Sequence, residues 1–222
     1  YGNDSTNSFR GYDLAFGPSV YAALEWFPGA HFTSNALAHI GLYGDFGAAF
    51  AIVSIDSADN RFATSTMLYD VGLRGRLPLG ALDLGLRVGY GSQTFVIDNR
   101  GTTPPVVPGV PGVPGVAYQF LRIGLSARYD IAHRVGILFG VNYLLTLAAG
   151  EFSRDFFPHD SVHGLDGSVA VAVRLVAGLE LRVGFDARVF LHSLNPQASD
   201  PWNVQSATDL HYGVTGGVAY RL

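Results

Sequence analysis

The chain of 222 residues contains no cysteine and no lysine, so no disulfide can form and all 14 of its Lys/Arg positions are Arg. A water-facing surface normally carries Lys, so its absence argues against a soluble exterior, although a GC-rich codon bias also depletes it. Charged residues are scarce, at 14%. The formal net charge of −4 leaves no basic surface for nucleic acid, so a nucleic-acid partner is not expected. No apolar run reaches the ~18 residues that would mark a membrane-crossing helix. The lack of cysteine is compatible with an oxidising compartment without establishing one. The chain opens at Tyr1 with no apolar signal-like stretch, so any secretory signal is expected upstream or already removed.

What is present is alternation. Nine segments place apolar residues at every second position, the period of a strand with two unlike faces. They fall at about 12–26, 36–52, 63–77, 82–97, 117–131, 135–147, 165–176, 179–192 and 208–222. Pro18 interrupts the first and suits an edge or a bulge. One face is bulky: Leu84, Leu86 and Val88 in the fourth segment, Val141 and Tyr143 in the sixth, Val171 in the seventh, Val183 in the eighth. In the second segment Ile40, Leu42, Phe46, Phe50 and Ile52 share that face, opposite His39, Tyr43 and Asp45. The opposite faces are mostly Gly, Ala, Ser and Thr with scattered Arg, Asp and Glu.

A lipocalin-like soluble barrel alternates too, with its apolar face inward. Side-chain size decides between the two. A narrow lumen holds small residues and a few long polar ones, whereas a soluble exterior of Gly and Ala would be unusual. The bulky face is therefore expected to meet lipid. Connection lengths agree: short turns follow segments three, five and seven, and long ones follow four, six and eight. Short periplasmic turns and longer extracellular loops are the habit of outer-membrane barrels. Trp26, Tyr129 and Tyr220 then fall in an aromatic girdle on the periplasmic side.

This reading gives an all-β, antiparallel, up-and-down transmembrane β-barrel over residues 11–222, with 1–10 as a polar extracellular segment. Nine strands would leave the first and last parallel, while single-chain bacterial barrels have even strand numbers. A tenth strand, from upstream of Tyr1, is expected in the intact barrel. The chain's end supports the assignment: Thr215 takes a polar position, Gly217 a glycine position, and Tyr220 and Leu222 the alternating apolar positions. On these residues and the nine-segment pattern the chain resembles small bacterial outer-membrane β-barrel proteins. The resemblance implies lipid of the outer membrane and the outer-membrane assembly machinery as partners, and a periplasmic C-terminus. Leu222 departs from the more usual terminal Phe.

The inward face collects Arg74, Arg76, Arg87, Arg122, Arg128, Arg174, Arg182 and Arg188. Opposing them are Glu25, Asp45, Asp70, Asp83, Asp130, Asp166, Glu180 and Asp186. Buried charges must be paired and hydrogen-bonded. A salt-bridge network filling a narrow lumen is the expected role, with a narrow ion pathway as the alternative. His192, Asp209 and His211 near the outer rim, and His159 and His163 in the loop 149–164, suggest acid–base or metal chemistry but lack a third fixed ligand. No metal or other cofactor is expected. No Ser-His-Asp constellation follows from spacing, so an enzyme is not expected and a rim hydrolase is the weakest reading.

The loop 98–116 carries a three-residue repeat through Pro108, Val110, Pro111, Val113, Pro114 and Val116. Three units are too few for a triple helix and suit an extended strut or a mobile apolar loop. Exposed valines there suggest self-association or a protein partner. The leading expectation is a charge-plugged barrel acting as a structural or surface-interaction protein through its long loops. A narrow channel for small solutes or ions is the runner-up.

Overall fold

The computed structural model of the chain describes residues 17–55, 61–98, 115–176, 178–198, 200 and 204–220. Nine strands form one sheet in chain order: β1 Ser19–Trp26, β2 Ile40–Ile55, β3 Arg61–Leu79, β4 Leu82–Asp98, β5 Val116–Ala132, β6 Val135–Ala148, β7 Ser161–Val176, β8 Leu179–Ser193 and β9 Ser206–Tyr220. Every neighbouring pair is antiparallel. No helix among the described residues is long and apolar enough to cross a membrane.

The alternation read in the sequence is why these segments are strands: side chains at successive positions leave opposite faces of the pleat. Tight turns join β3 to β4, β5 to β6 and β7 to β8 at one end. Gly80 (φ 66°) and Gly178 (φ 76°) hold the left-handed backbone that two of these turns need. The same end carries a longer connection between β1 and β2. It is built from two 3-10 turns, Pro28–His31 and Ala36–His39, where one segment was expected to be strand from residue 36. The Asn35 side chain accepts from the Leu37 amide and starts the second turn as a cap.

The sheet is strongly curled. Tyr118 on β5 hydrogen-bonds Asp209 on β9, four strands away, at 3.1 Å. In a flat sheet those strands would be roughly 19 Å apart at ~4.8 Å per step. The small and charged residues occupy the concave face of this half-barrel. The bulky residues occupy the convex face and are exposed, with Leu86 at 51% and Val141 at 57%. Leu84, Val171 and Val183 are exposed there too.

One residue changes sides. Ile52 was expected on the outward face with Phe50, yet it is only 3% exposed while Phe50 is 53% exposed. The register explains the switch: Ala49 opposes Thr66 but Ile52 opposes Thr64, so β2 carries one extra residue there. A β-bulge of one residue moves every later side chain to the other face.

Among the described residues β1 pairs only with β2 and β9 only with β8, and eight antiparallel steps leave β1 and β9 pointing the same way. Residues 12–16, expected as the start of the first strand, lie outside the described residues, as do Leu222 and residues 108–114 of the repeat. Gly17 and Pro18 precede β1 rather than joining it. Val116 was expected in the loop. It is instead the first residue of β5, partly buried against the interior.

Candidate functional site

The concave interior is the most distinctive chemical feature, and its contents follow the order of residues along β5. From the tight-turn end this order is Asp130, Arg128, Ser126, Arg122, Phe120 and Tyr118. They mark successive layers of the interior.

In the first layer Glu180 is 1% exposed and sits among three guanidinium groups. Arg128 donates to both its oxygens, at 3.0 and 2.7 Å, from three strands away. Arg182 donates at 2.9 Å, and Arg174 approaches to 3.9 Å. Arg128 also holds Asp130 at 2.8 Å. The two-pronged geometry is the one a planar guanidinium favours with a carboxylate. Nearby, Arg76 donates to the Ala38 carbonyl at 3.3 Å and lies 4.1 Å from the centre of the Phe27 ring. It thereby ties the β1–β2 connection to the tight-turn end of the concave face.

In the second layer Arg74 binds Glu25 and donates to Ser126 Oγ at 3.2 Å. Arg87 donates to Asp45 at 3.3 Å and stands 3.8 Å from Glu25. Asp83 lies on β4 opposite Arg128 in register.

The third layer is the most buried. Asp70, with no exposure, accepts from the Tyr43 hydroxyl at 2.7 Å and meets Arg122 Nε at 2.5 Å as an ion pair off the hydrogen-bond axis. Arg122 reaches on to Asp166 at 3.0 Å. Arg188 reaches the same Asp166 oxygen at 3.0 Å and also donates to Gln93 at 2.6 Å. Asn142 donates to the other Asp166 oxygen. Asp166 is thus the hub that links β5, β6, β7 and β8.

Above these charges sits an apolar layer that the sequence reading did not single out. Tyr118, Phe120, Leu144, Ala149, Val162 and Phe190 form one buried cluster. The Tyr118 and Phe190 rings stack with centroids 3.7 Å apart. Arg188 and Arg122 lie beneath Phe120 at 5.6 and 5.9 Å. A signal was available: Tyr118 and Phe120 share parity with Arg122, and Phe190 with Arg188. Gly91 makes the space, since a Cβ there would lie 2.6 Å from the Phe120 ring. Gly89 plays the same part under the Tyr43 ring.

At the long-connection end the structure joins His192, Asp209 and His211, and adds three residues to them. His192 Nδ1 contacts Asp160 at 2.9 Å and its Nε2 contacts the Tyr118 hydroxyl at 2.8 Å. Tyr118 also reaches Asp209, which contacts His211 at 3.1 Å. Ser153 donates to Asp160 at 2.8 Å rather than facing His192 Nε2. The hydroxyl that faces this imidazole is therefore a phenol, 1% exposed. The π-helical turn Phe152–Phe156 lies over this chain, with the Phe152 ring 4.7 Å from His192. Phe157, Leu194 and Val204 bury one another beside it and join the two long connections.

The other histidine pair separates. His159 contacts Asp200 at 3.1 Å. His163 lies in β7, not in the loop where it was expected, and meets the Tyr143 hydroxyl at 2.6 Å on the convex face. No group of three or more His, Asp or Glu able to hold a metal occurs among the described residues.

Asp186 differs from the other acids of the concave face. It is exposed on the concave side of β8 and has no hydrogen bond or ion pair among the described residues. Gly213 opposes it on β9, where a Cβ would lie 3.8 Å from its Oδ2, and further along β9 a Cβ at Gly217 would meet nothing within 4 Å. Thr215 and Gly217 lie in β9 opposite Gly184 and Arg182, and Tyr220 is exposed on the convex face.

Comparison with protein-family models finds no match, and comparison with curated proteins finds no match.

Proposed function

We propose that this chain is a bacterial outer-membrane β-barrel whose lumen is plugged by its own side chains, and that it works as a structural or surface-interaction protein through its long connections. The observation that carries the reading is the pairing of two opposite surfaces. The convex face exposes Leu, Val, Ile and Phe on every strand from β2 to β8 except where the bulge intervenes. The concave face is crossed by ion pairs and closed above them by a buried aromatic layer. An exposed apolar belt of that extent is stable against lipid tails and a liability in water. The long connections then lie outside the cell, and the tight turns and C-terminus lie in the periplasm. The outer-membrane assembly machinery would act on the β9 end, through Thr215, Gly217, Tyr220 and Leu222.

A narrow channel is the second reading. It is favoured by Asp186, an exposed carboxylate on the concave face with no hydrogen bond or ion pair among the described residues. Conductance in a planar bilayer separates the two. The plugged barrel gives no steady unitary current, whereas a reproducible unitary step would replace this reading with the channel.

The interaction role has its own test. Residues 108–115 are replaced by a Gly/Ser linker that spares Val116, because Val116 packs inside. Folding should persist and self-association or partner binding should weaken. Unchanged association would remove the repeat from the account.

A further inference from the structure

The buried chain Asp160–His192–Tyr118–Asp209–His211 joins the β6–β7 connection to three strands, and its protons can be counted. Tyr118 has one hydroxyl proton and two neighbours able to accept it, His192 Nε2 at 2.8 Å and Asp209 Oδ2 at 3.1 Å. If His192 is neutral with its proton on Nδ1, it donates to Asp160, and Tyr118 must choose between the other two. If the proton is on Nε2, Tyr118 can serve Asp209, but a bare Nδ1 lone pair then faces the Asp160 carboxylate. With the Asp209 carboxylate ionised, all the contacts are hydrogen bonds at once only when the Asp160–His192 pair holds one extra proton. Charge leads to the same place. The Asp160 side chain is fully buried, and its Oδ1 has no hydrogen-bond partner. Ser153 donates to its other oxygen, but an ionised carboxylate in that position beside Phe152 is still costly without a cationic neighbour. The titratable groups that face His192 are Tyr118 from β5, Asp160 from the connection, and Asp209 with His211 from β9. None of these four is a permanent cation.

We infer that this cluster is a proton-controlled latch, which holds the β6–β7 connection over the aromatic layer when the Asp160–His192 pair is protonated and releases it when that proton leaves. The latch has two consequences for the connection. Asp160 anchors its end and the Phe152 ring rests on the imidazole, so loss of the proton turns the Asp160 contact from a charge-assisted hydrogen bond into a weaker one to a neutral imidazole and removes the cation beside Phe152. Release would expose the aromatic layer from above without touching the ion network below. The inference stands on the geometry of this end of the fold and does not depend on membrane location.

The test uses the whole chain in detergent micelles. Because the protein has no cysteine, a Glu151→Cys/Ala132→Cys variant carries two spin labels at defined places, one on the connection and one at the tight-turn end. Their separation is measured by double electron–electron resonance at about pH 5.5 and about pH 8.5, on either side of the usual histidine range. One narrow distance is expected at the lower pH. At the higher pH a longer-distance population should grow about tenfold, the effect of one charged hydrogen bond lost. His192→Gln in that background should abolish the pH response, and His211→Gln should keep it. Tyr118→Phe, which retains the ring stack on Phe190, should weaken it. Identical distributions at both pH values in the parent would overturn the latch. So would a full response in His192→Gln or, if that variant does not fold, an undiminished response in Tyr118→Phe.

Discussion

Arg122 on β5 and Asp70 on β3 meet at 2.5 Å across an intervening strand, and Asp70 lies directly beside Asp45 in the β2–β3 register. Two carboxylates opposite one another repel, and so do Arg74 and Arg87, which oppose one another between β3 and β4. In each case the neutralising charge comes from another strand: Arg122 and Arg87 for the acids, Glu25 for the two Arg. The like-charged neighbours are tolerable because the curl brings these partners over them.

Removing Arg122 should therefore do more harm than removing the pair. Arg122→Leu leaves Asp70 buried without its cation and is expected to cost about 3–5 kcal/mol. Arg122→Leu with Asp70→Asn should recover much of the loss. Urea unfolding in lipid vesicles, followed by tryptophan fluorescence, measures both. Equal destabilisation of single and double variants would mean that the ion pair is not the source.

The small residues of the concave face should resist enlargement selectively. Gly91→Leu drives a side chain into the Phe120 ring and is expected to cost about 1–3 kcal/mol through overpacking. Gly217→Ala meets open space and should stay close to the parent. Thermal unfolding of the two variants compares them directly. Equal tolerance at both positions would contradict the packed aromatic layer.

Outside the strands, the Gln197 amide donates to Asp200 at 2.8 Å, and this contact, with His159 beside it, holds the Asp200 carboxyl below the ordinary value of 3.8. Both interactions favour the ionised form. Their contribution is thus present above the ordinary carboxylate range and lost as pH falls through the lowered value in the folded chain. The Gln197 amide resonance should titrate below pH 3.8 in the parent and lose that step in Asp200→Asn. A midpoint at or above 3.8 would contradict the assigned contacts.

Much of this fold is written in residue parity. The alternation located all nine strands, usually to within a few residues, because each strand has two chemically unlike faces. It could not show the bulge at Ala49 and Ile52, which adds a residue without changing composition. The same parity put Arg122, Asp70, Asp166 and Glu180 inside, but partner choice depends on curl and stagger that no single segment encodes. Asp160 and Tyr118 were missed at the rim for a related reason. They meet His192 only after one connection and two strands have converged, and Tyr118 reads locally as one more apolar strand residue.

The outer edges of β1 and β9, which no described strand pairs, lead to an expectation about closure. Unpaired backbone groups along β1 and β9 would each cost several kcal/mol in hydrocarbon. A strand antiparallel to both, from elsewhere in the polypeptide, satisfies them and gives ten strands. An experimental structure of the protein in lipid should contain it. Direct parallel pairing of Ser19–Trp26 with Ser206–Tyr220 would contradict it.

The central claim is that the convex face meets lipid and the concave face does not. Single cysteines at Leu84, Leu86, Val141, Val171 and Val183, and at Arg87, Arg122 and Asp186 on the other side, can carry an environment-sensitive fluorophore in a chain that has no cysteine of its own. Quenching by brominated lipid against quenching by aqueous iodide in reconstituted vesicles reads the two faces directly. The first five positions should be quenched by the lipid and spared by iodide, and the other three should escape the lipid quencher. Iodide quenching at Val171 and Val183 as strong as that of free dye, with lipid quenching at Arg122, would contradict the account.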